Sequence, residues 1–306
     1  MANPKKWDVL ALGNTAIDDL LFVEAFPVAD TKTPILHSQR QCGGLAATAI
    51  VAASRLGARC AYAGALGEDE LSSFVEETFR REGVDVSHIV RRMDATPVHS
   101  RIVVAQNGTR NIFYETRGFC GADPSAPSAE TIGASRVLMV DRWGIEGTLR
   151  AIKIAREKNV PVVGDIERSG FAGFEAWMQA VNHLIVPEEF ALAVTGRSTP
   201  GAAARKLWSP MRAVVVVTCG ENGCWILENE NHEPQCIPAF KVDVVDTTGC
   251  GDVFHGAYAA MLARNEAPAA RIRFASAAAA LKAMQPGGQS GIPTRAAVKE
   301  FLKMRS

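Results

Sequence analysis

An α/β fold, with a central, mostly parallel sheet and helices on both faces, is predicted for this 306-residue chain. Two observations predict it. Short apolar, β-branched runs alternate with helical patterns along most of the sequence, the rhythm of parallel strands joined by crossover helices. Near the C-terminus a turn with two glycines opens a helix on a carboxylate, and in open α/β sheets ligands gather at such strand-to-helix junctions. One segment, Val98–Glu115, breaks the rhythm and reads as a hairpin around Asn107-Gly108, a strong short-range hairpin signal.

The first strand is predicted over Asp8–Leu12. Leu20–Gln41 then reads as an extended, mixed stretch outside the βα rhythm. A helix opened by Gly43-Gly44 and closed by Gly57 follows. Further strands are predicted at Cys60–Ala65, Val137–Val140, Pro161–Gly164, His183–Val186 and Ala213–Thr218. The intervening helices are Glu68–Arg81, Glu146–Lys158, Pro187–Val194 and Ala202–Leu207, and the chain closes with helices at Val253–Ala263, Ala269–Met284 and Thr294–Lys303. A single domain over 1–306 accounts for this order, with segments at about 20–41 and 98–115 outside the rhythm, read from the residues alone as strands that extend the main sheet. No internal repeat or linker interrupts it. The polar start, Met1 to Lys6, is expected to fray.

The most informative stretch runs from Val244 to His255. An apolar β-type run (Phe240, Val242, Val244, Val245) feeds Asp246-Thr247-Thr248-Gly249-Cys250-Gly251-Asp252, and a helical run follows. The backbone N–H groups of Gly249, Cys250 and Gly251, with the positive end of the helix dipole, converge on one spot suited to an anion. Asp252 stands beside it, able to take a proton from an attacking hydroxyl. Phosphoryl transfer asks for little more than this geometry and a metal ion. Read as residues alone, Asp252 serves equally as a helix cap and the glycines as a tight turn.

Composition narrows the field. Lys plus Arg and Asp plus Glu number 33 each, so the formal net charge is zero, which argues against a general nucleic-acid or membrane-surface binder. Seven cysteines without zinc-type spacing fit reduced thiols in the cytoplasm. No apolar run approaches the roughly 20 residues that span a bilayer. There is no GxxxxGK[ST] for a P-loop and no GxGxxG after the first strand, and His232-Glu233 lacks the second His of a zincin. A sugar-binding regulator without catalysis stays open as an alternative.

Asp246-Thr-Thr-Gly-Cys-Gly-Asp252 resembles the C-terminal signature of the PfkB/ribokinase family of small-molecule kinases, DTxGAGD, with Cys250 in place of Ala. Gly43-Gly44 through Leu56-Gly57, continuing to Asp69, resembles the family's N-terminal signature, with Thr48 where Asn is usual. The resemblance covers essentially the whole chain. It implies a ribokinase-like fold, ATP with Mg²⁺, Asp252 as catalytic base and residues 249–251 as the anion hole. It further implies a sugar held by Asp18, Gly43 and Gly44; the neighbouring Asp19 reads from its position as a solvated loop acid. Thr218, Gly220 and Gly223 match a TxGxxG that touches the nucleotide phosphates, although an ordinary strand–turn–strand explains them too. Glu188 falls in a Mg²⁺-related segment whose usual Asn and Glu are here Glu188 and Ala191. Asp246, Thr248 and Pro286–Pro293 fall where such enzymes bind a monovalent cation, K⁺, a Gly-rich turn being the other reading. The resemblance also implies that segments about 20–41 and 98–115 form a small β-sheet lid over the sugar, and that this lid builds a homodimer.

Phe240–Gly249, with Arg273-Phe-Ala-Ser and Pro286-Gly-Gly, looks especially like the sulfofructose-kinase branch. In that branch a Lys and an Arg at the places of Lys32 and Arg142 hold a sulfonate, while an assisting Asn corresponds to Tyr114 here. An anionic ketose is therefore one expected substrate and a neutral ketose or pentose the other.

Overall fold

The computed structural model describes residues 5–305; the expected fraying of Met1 to Lys6 lies outside them for the first four residues and fails for Lys6, whose amide donates to Ala134 O at 2.8 Å. A nine-stranded sheet forms the body. In spatial order its strands are Gln235–Ile237, Cys224–Leu227, Val214–Thr218, His183–Pro187, Val162–Asp165, Ser135–Val140, Trp7–Leu12, Cys60–Tyr62 and Val84–Asp85. The first two pairings are antiparallel and the rest are parallel. Strand order reverses between Trp7–Leu12 and Ser135–Val140: one half of the chain builds outward from Trp7–Leu12 to one side, the other half to the other. Neighbouring loops part at such a switch point and leave a crevice at the carboxyl ends of the strands.

Two apolar cores lie on the two faces of this sheet. Val9, Val137, Val163 and Ile185 pack against the helices Leu45–Arg55, Cys250–Leu262 and Pro268–Ala283. Leu10, Leu138, Val162 and Leu184 pack against the opposite helical layer, where Trp177 is fully buried. Strands buried on both faces read as continuous apolar runs, which is why Val214–Thr218 is almost entirely valine. Leu45–Arg55 and Cys250–Leu262 cross very closely at Gly256, where a Cβ would lie 2.1 Å from the Ala49 carbonyl oxygen. The alanine-rich faces of both helices permit this contact, which locks the two signature segments against each other.

A second sheet of four strands, His37–Gly43, Ala16–Val23, Val98–Ala105 and Arg110–Glu115, stands over the crevice. Its central pair is parallel and its outer pairs antiparallel. The expected hairpin is present, closed by a turn with Gly108 at φ +83°. The 20–41 segment is more regular than expected, because its strand starts at Ala16 and Asp18 and Asp19 lie within it. One expectation fails. Phe240–Val245 forms no strand; Phe240 and Val242 pack on the core, while the Val245 and Asp246 amides donate to Ala283 O at the end of a helix (2.8 and 3.1 Å). The alternation marked sidedness without a neighbouring strand to pair with.

Candidate active site

Gly249, at φ +77°, begins the helix Cys250–Leu262, and no side chain caps it. The Cys250 amide donates to Thr247 O at 3.1 Å, so the expected trio of open donors is reduced. The Gly249 and Gly251 amides remain the open pair of that trio. The Cys250 thiol points away, toward Ala279 O at 3.6 Å, and burial pushes its pKa up to about 11. It is therefore a neutral packing group.

Asp252 follows in the first turn, facing a cavity of about 410 Å³ between body and lid. Asn14, Gly44, Ser100, Tyr114, Arg142 and Glu167 are among its lining residues. Burial, and then the charges of Asp165, Glu167, Asp141 and Asp18, push the Asp252 carboxyl well above the ordinary carboxylate range. A base so raised accepts a hydroxyl proton more readily than a solvated Asp. His255, one turn on, ties this helix start to the sheet. Its Nδ1 lies 2.8 Å from Gly251 O and its Nε2 3.1 Å from Ile185 O, with Asp165 Oδ2 3.4 Å from Nδ1.

Behind the cavity wall, next to Arg142, lies a buried carboxylate outside the sequence motifs. Asp141 ends the Ser135–Val140 strand, accepts the Asn14 and Trp143 amides at 2.6 and 2.8 Å, and is raised by burial to about 7. Gly13 is obligatory beside it, since a Cβ there would lie 2.3 Å from Asp141 Oδ2. Asp141 and Asp165 each directly follow an apolar run, and carboxylates at strand ends were the available signal.

On the lid, Asp18 lies in register with Ser100, and Ser100 with Tyr114. Burial raises the Asp18 carboxyl, opposed by its hydrogen bond with Ser100. Gly43 makes room for it: a Cβ there would lie 2.6 Å from Asp18 Oδ2. Gly44, at φ +97°, presses on the backbone of residues 14–16. Asp19 is not the solvated loop acid expected. It points to the other side, accepts Arg40 Nε at 2.6 Å, meets His99 Nε2 at 2.7 Å, and is lowered by Arg40 to about 2. Thr48 is buried against Gly249 and Gln289, which makes it a brace of the anion hole.

Arg142 borders the cavity, as does Arg168, which the sequence reading passed over. The Arg142 Nε is buried without a partner, and its guanidinium stacks 4.7 Å from the Trp143 ring. Lys32 is exposed on the loop between the lid strands and does not line the cavity; the structure does not bring it to Arg142. Thr218 ends its strand beside Pro187, which places Glu188, Thr218, Gly220 and Gly223 on the same edge of the sheet. Gly223 has a structural reason as well, since a Cβ would lie 2.0 Å from Ile237 O. Among the described residues no group of three or more His, Cys, Asp and Glu is arranged to hold a metal, so Glu188 offers a single carboxylate.

Asp246 and Thr248 do not fit the expected monovalent cation. The Asp246 carboxylate accepts the Thr248 and Gly287 amides, both at 2.9 Å, and the Asp246 carbonyl accepts Lys282 Nζ at 2.8 Å. Each of these oxygens accepts one donor, and the Lys282 ammonium already supplies the positive charge that a cation would bring. Arg110 of the lid donates to the Thr248 hydroxyl, bringing a further positive charge to this loop.

Residues 6–295 match the pfkB family carbohydrate kinase description. The chain is 26% identical to a ribokinase of Haemophilus influenzae over 95% of this chain and 97% of that protein. It superposes on the ribokinase of Thermotoga maritima with a TM-score of 0.84, at 27% identity over 96% and 99% of the two chains. The ribokinase of Arabidopsis thaliana, solved with ribose and ATP, has the same fold (TM-score 0.83, 21% identity, 99% of each chain). No described helix is long and apolar enough to cross a membrane.

Proposed function

This chain belongs to the pfkB family of carbohydrate kinases, and from that membership we propose the course of its reaction and the class of sugar it takes. It is an ATP-dependent sugar kinase. Asp252 draws the proton from a sugar hydroxyl as that oxygen attacks the γ-phosphorus in line, and the open amides of Gly249 and Gly251 hold the charge on the transferring phosphoryl. Thr218, Gly220 and Gly223 contact the nucleotide phosphates. Mg²⁺ arrives with ATP, with Glu188 as the chain's contribution to its surroundings. Asp18 and Asn14 accept and donate hydrogen bonds to sugar hydroxyls.

The sugar is an anionic ketose, a sulfonated or phosphorylated one. The observation that carries this is the Arg142 guanidinium, whose Nε is buried without a partner at a cavity wall it shares with Arg168. The half-buried Arg142 guanidinium borders the cavity with an Nε that has no hydrogen-bond partner, and an anion in the cavity would pair with its charge. Lys32 takes no part as the lid stands. Two further proposals accompany the reading. Phe113, 59% exposed on the outer side of the lid, favours a homodimer through that sheet, and seven unpaired cysteines favour the cytoplasm.

Turnover of sulfonated, phosphorylated and neutral ketoses and pentoses, read as ADP release and sugar-phosphate mass, tests the substrate class. Arg142→Met should raise KM for the anionic ketose about tenfold or more, one charge-assisted contact, and leave KM for ATP alone. A preference for neutral fructose or ribose, unchanged in Arg142→Met, would reject the anionic sugar. Sugar binding with no turnover of any member would favour the regulator.

A further inference from the structure

Lys282 is fully buried, in the last turn of the helix Pro268–Ala283. Burying an ammonium is costly, and this one is matched. Its Nζ donates to Asp246 O at 2.8 Å and lies 3.4 Å from Gln285 O, in the field of the Asp246 charge. Both carbonyls flank the anion hole, one at the start of the 246–251 turn and the other in the loop that supplies the Gly287 amide to Asp246. The contacts are those of a small monovalent cation: one positive charge, carbonyl oxygens around it, and a carboxylate nearby. The last turn of a helix, with its outward carbonyls, also favours a cation.

We propose that Lys282 is a built-in cation, a positioning residue whose ammonium holds the anion-hole turn in place of a bound K⁺. The wild-type enzyme is then indifferent to K⁺. Removing the side chain opens a carbonyl-lined vacancy that K⁺ or NH₄⁺ fills. The inference rests on the kinase reading for its activity readout only, because cation binding to the vacancy is also visible as thermal stabilisation.

The test compares wild type, Lys282→Ala and Lys282→Met in KCl, NH₄Cl or choline chloride at matched ionic strength. Wild-type turnover and Tm should be the same in all three salts. Lys282→Ala should lose turnover roughly tenfold or more, the loss of one charge-assisted contact, with KM for sugar little changed. K⁺ or NH₄⁺ should restore both turnover and Tm, and choline should restore neither. Lys282→Met, whose chain still fills the space, should show the loss without the rescue. Severalfold activation of wild type by K⁺ over choline overturns the proposal, and that measurement needs no variant to fold. A folded Lys282→Ala whose Tm and turnover ignore K⁺ and NH₄⁺ also overturns it, leaving Lys282 as an ordinary brace. If no sugar is turned over by any form, the Tm comparison still decides.

Discussion

Gly251→Ala separates a residue kept for the fold from one kept for a ligand. An ideal Cβ at Gly251 meets nothing within 4 Å, whereas one at Gly249 meets Gly288 O at 3.4 Å on a backbone with φ +77°. Gly251 lies in the first turn of Cys250–Leu262, where alanine is the better helix former. The gain is about 0.5–1 kcal/mol at most, a Tm rise of roughly 1–3 °C for a chain of this size. The same change at Gly249 forces an L-residue into the left-handed region, at a cost of about 1–2 kcal/mol, and should lower Tm. Activity should fall in both. A methyl at Gly251 displaces a phosphoryl oxygen from the amide that would hold it, and losing one oxyanion donor costs about 10²–10³ in turnover. The assay is thermal melting beside coupled ADP release. Gly251→Ala that melts higher and turns over like wild type would refute the anion hole at this turn, because the space would then be empty for no chemical reason.

Two further outcomes follow from the same geometry. Asp252→Asn keeps the shape but cannot take the proton, so turnover should fall roughly 10²–10⁴-fold while calorimetric nucleotide affinity stays near wild type; an Asn variant of normal turnover leaves Asp252 as a cap. Asp252 works deprotonated and its carboxyl is raised, first by burial and then by neighbouring carboxylates including Glu167. Activity should therefore fall with decreasing pH on a limb above the ordinary carboxylate range. Glu167→Gln removes one of those charges and should move the limb to lower pH; a limb that stays where it was would mean that Asp252 does not set it.

The parallel sheet, the Val98–Glu115 hairpin and the helix start at Asp252 were legible because each has a local cause: valine runs, an Asn-Gly turn, and glycines placed around a helix start. What stayed hidden depends on partners distant in sequence. Asp18 and Asp19 are adjacent acids, and strand pleating alone sends one to Ser100 and the other to Arg40. Lys282 reads as one of several polar residues of an alanine-rich helix until Asp246, 36 positions away, is brought under it. Cys250 keeps its place in the motif, yet its amide is spent inside the turn. Phe240–Val245 shows the alternation of a strand, but alternation records which side faces the core and cannot record whether a neighbour is there to pair with.

The parallel pairing at the centre of the lid bears on how the chain acquires its pocket. Ala16 pairs with Val98, and Val23 with Ala105, a loop of roughly 80 residues that includes two helices and the strands of one flank of the body. Closing so long a loop gains nothing until the intervening segment is compact. The body should therefore consolidate before the lid zips, so that Asp18 meets Ser100 among the last native contacts to form. During refolding, protection of lid amides should lag behind that of the Val214–Thr218 strand, and sugar binding should appear with the later phase.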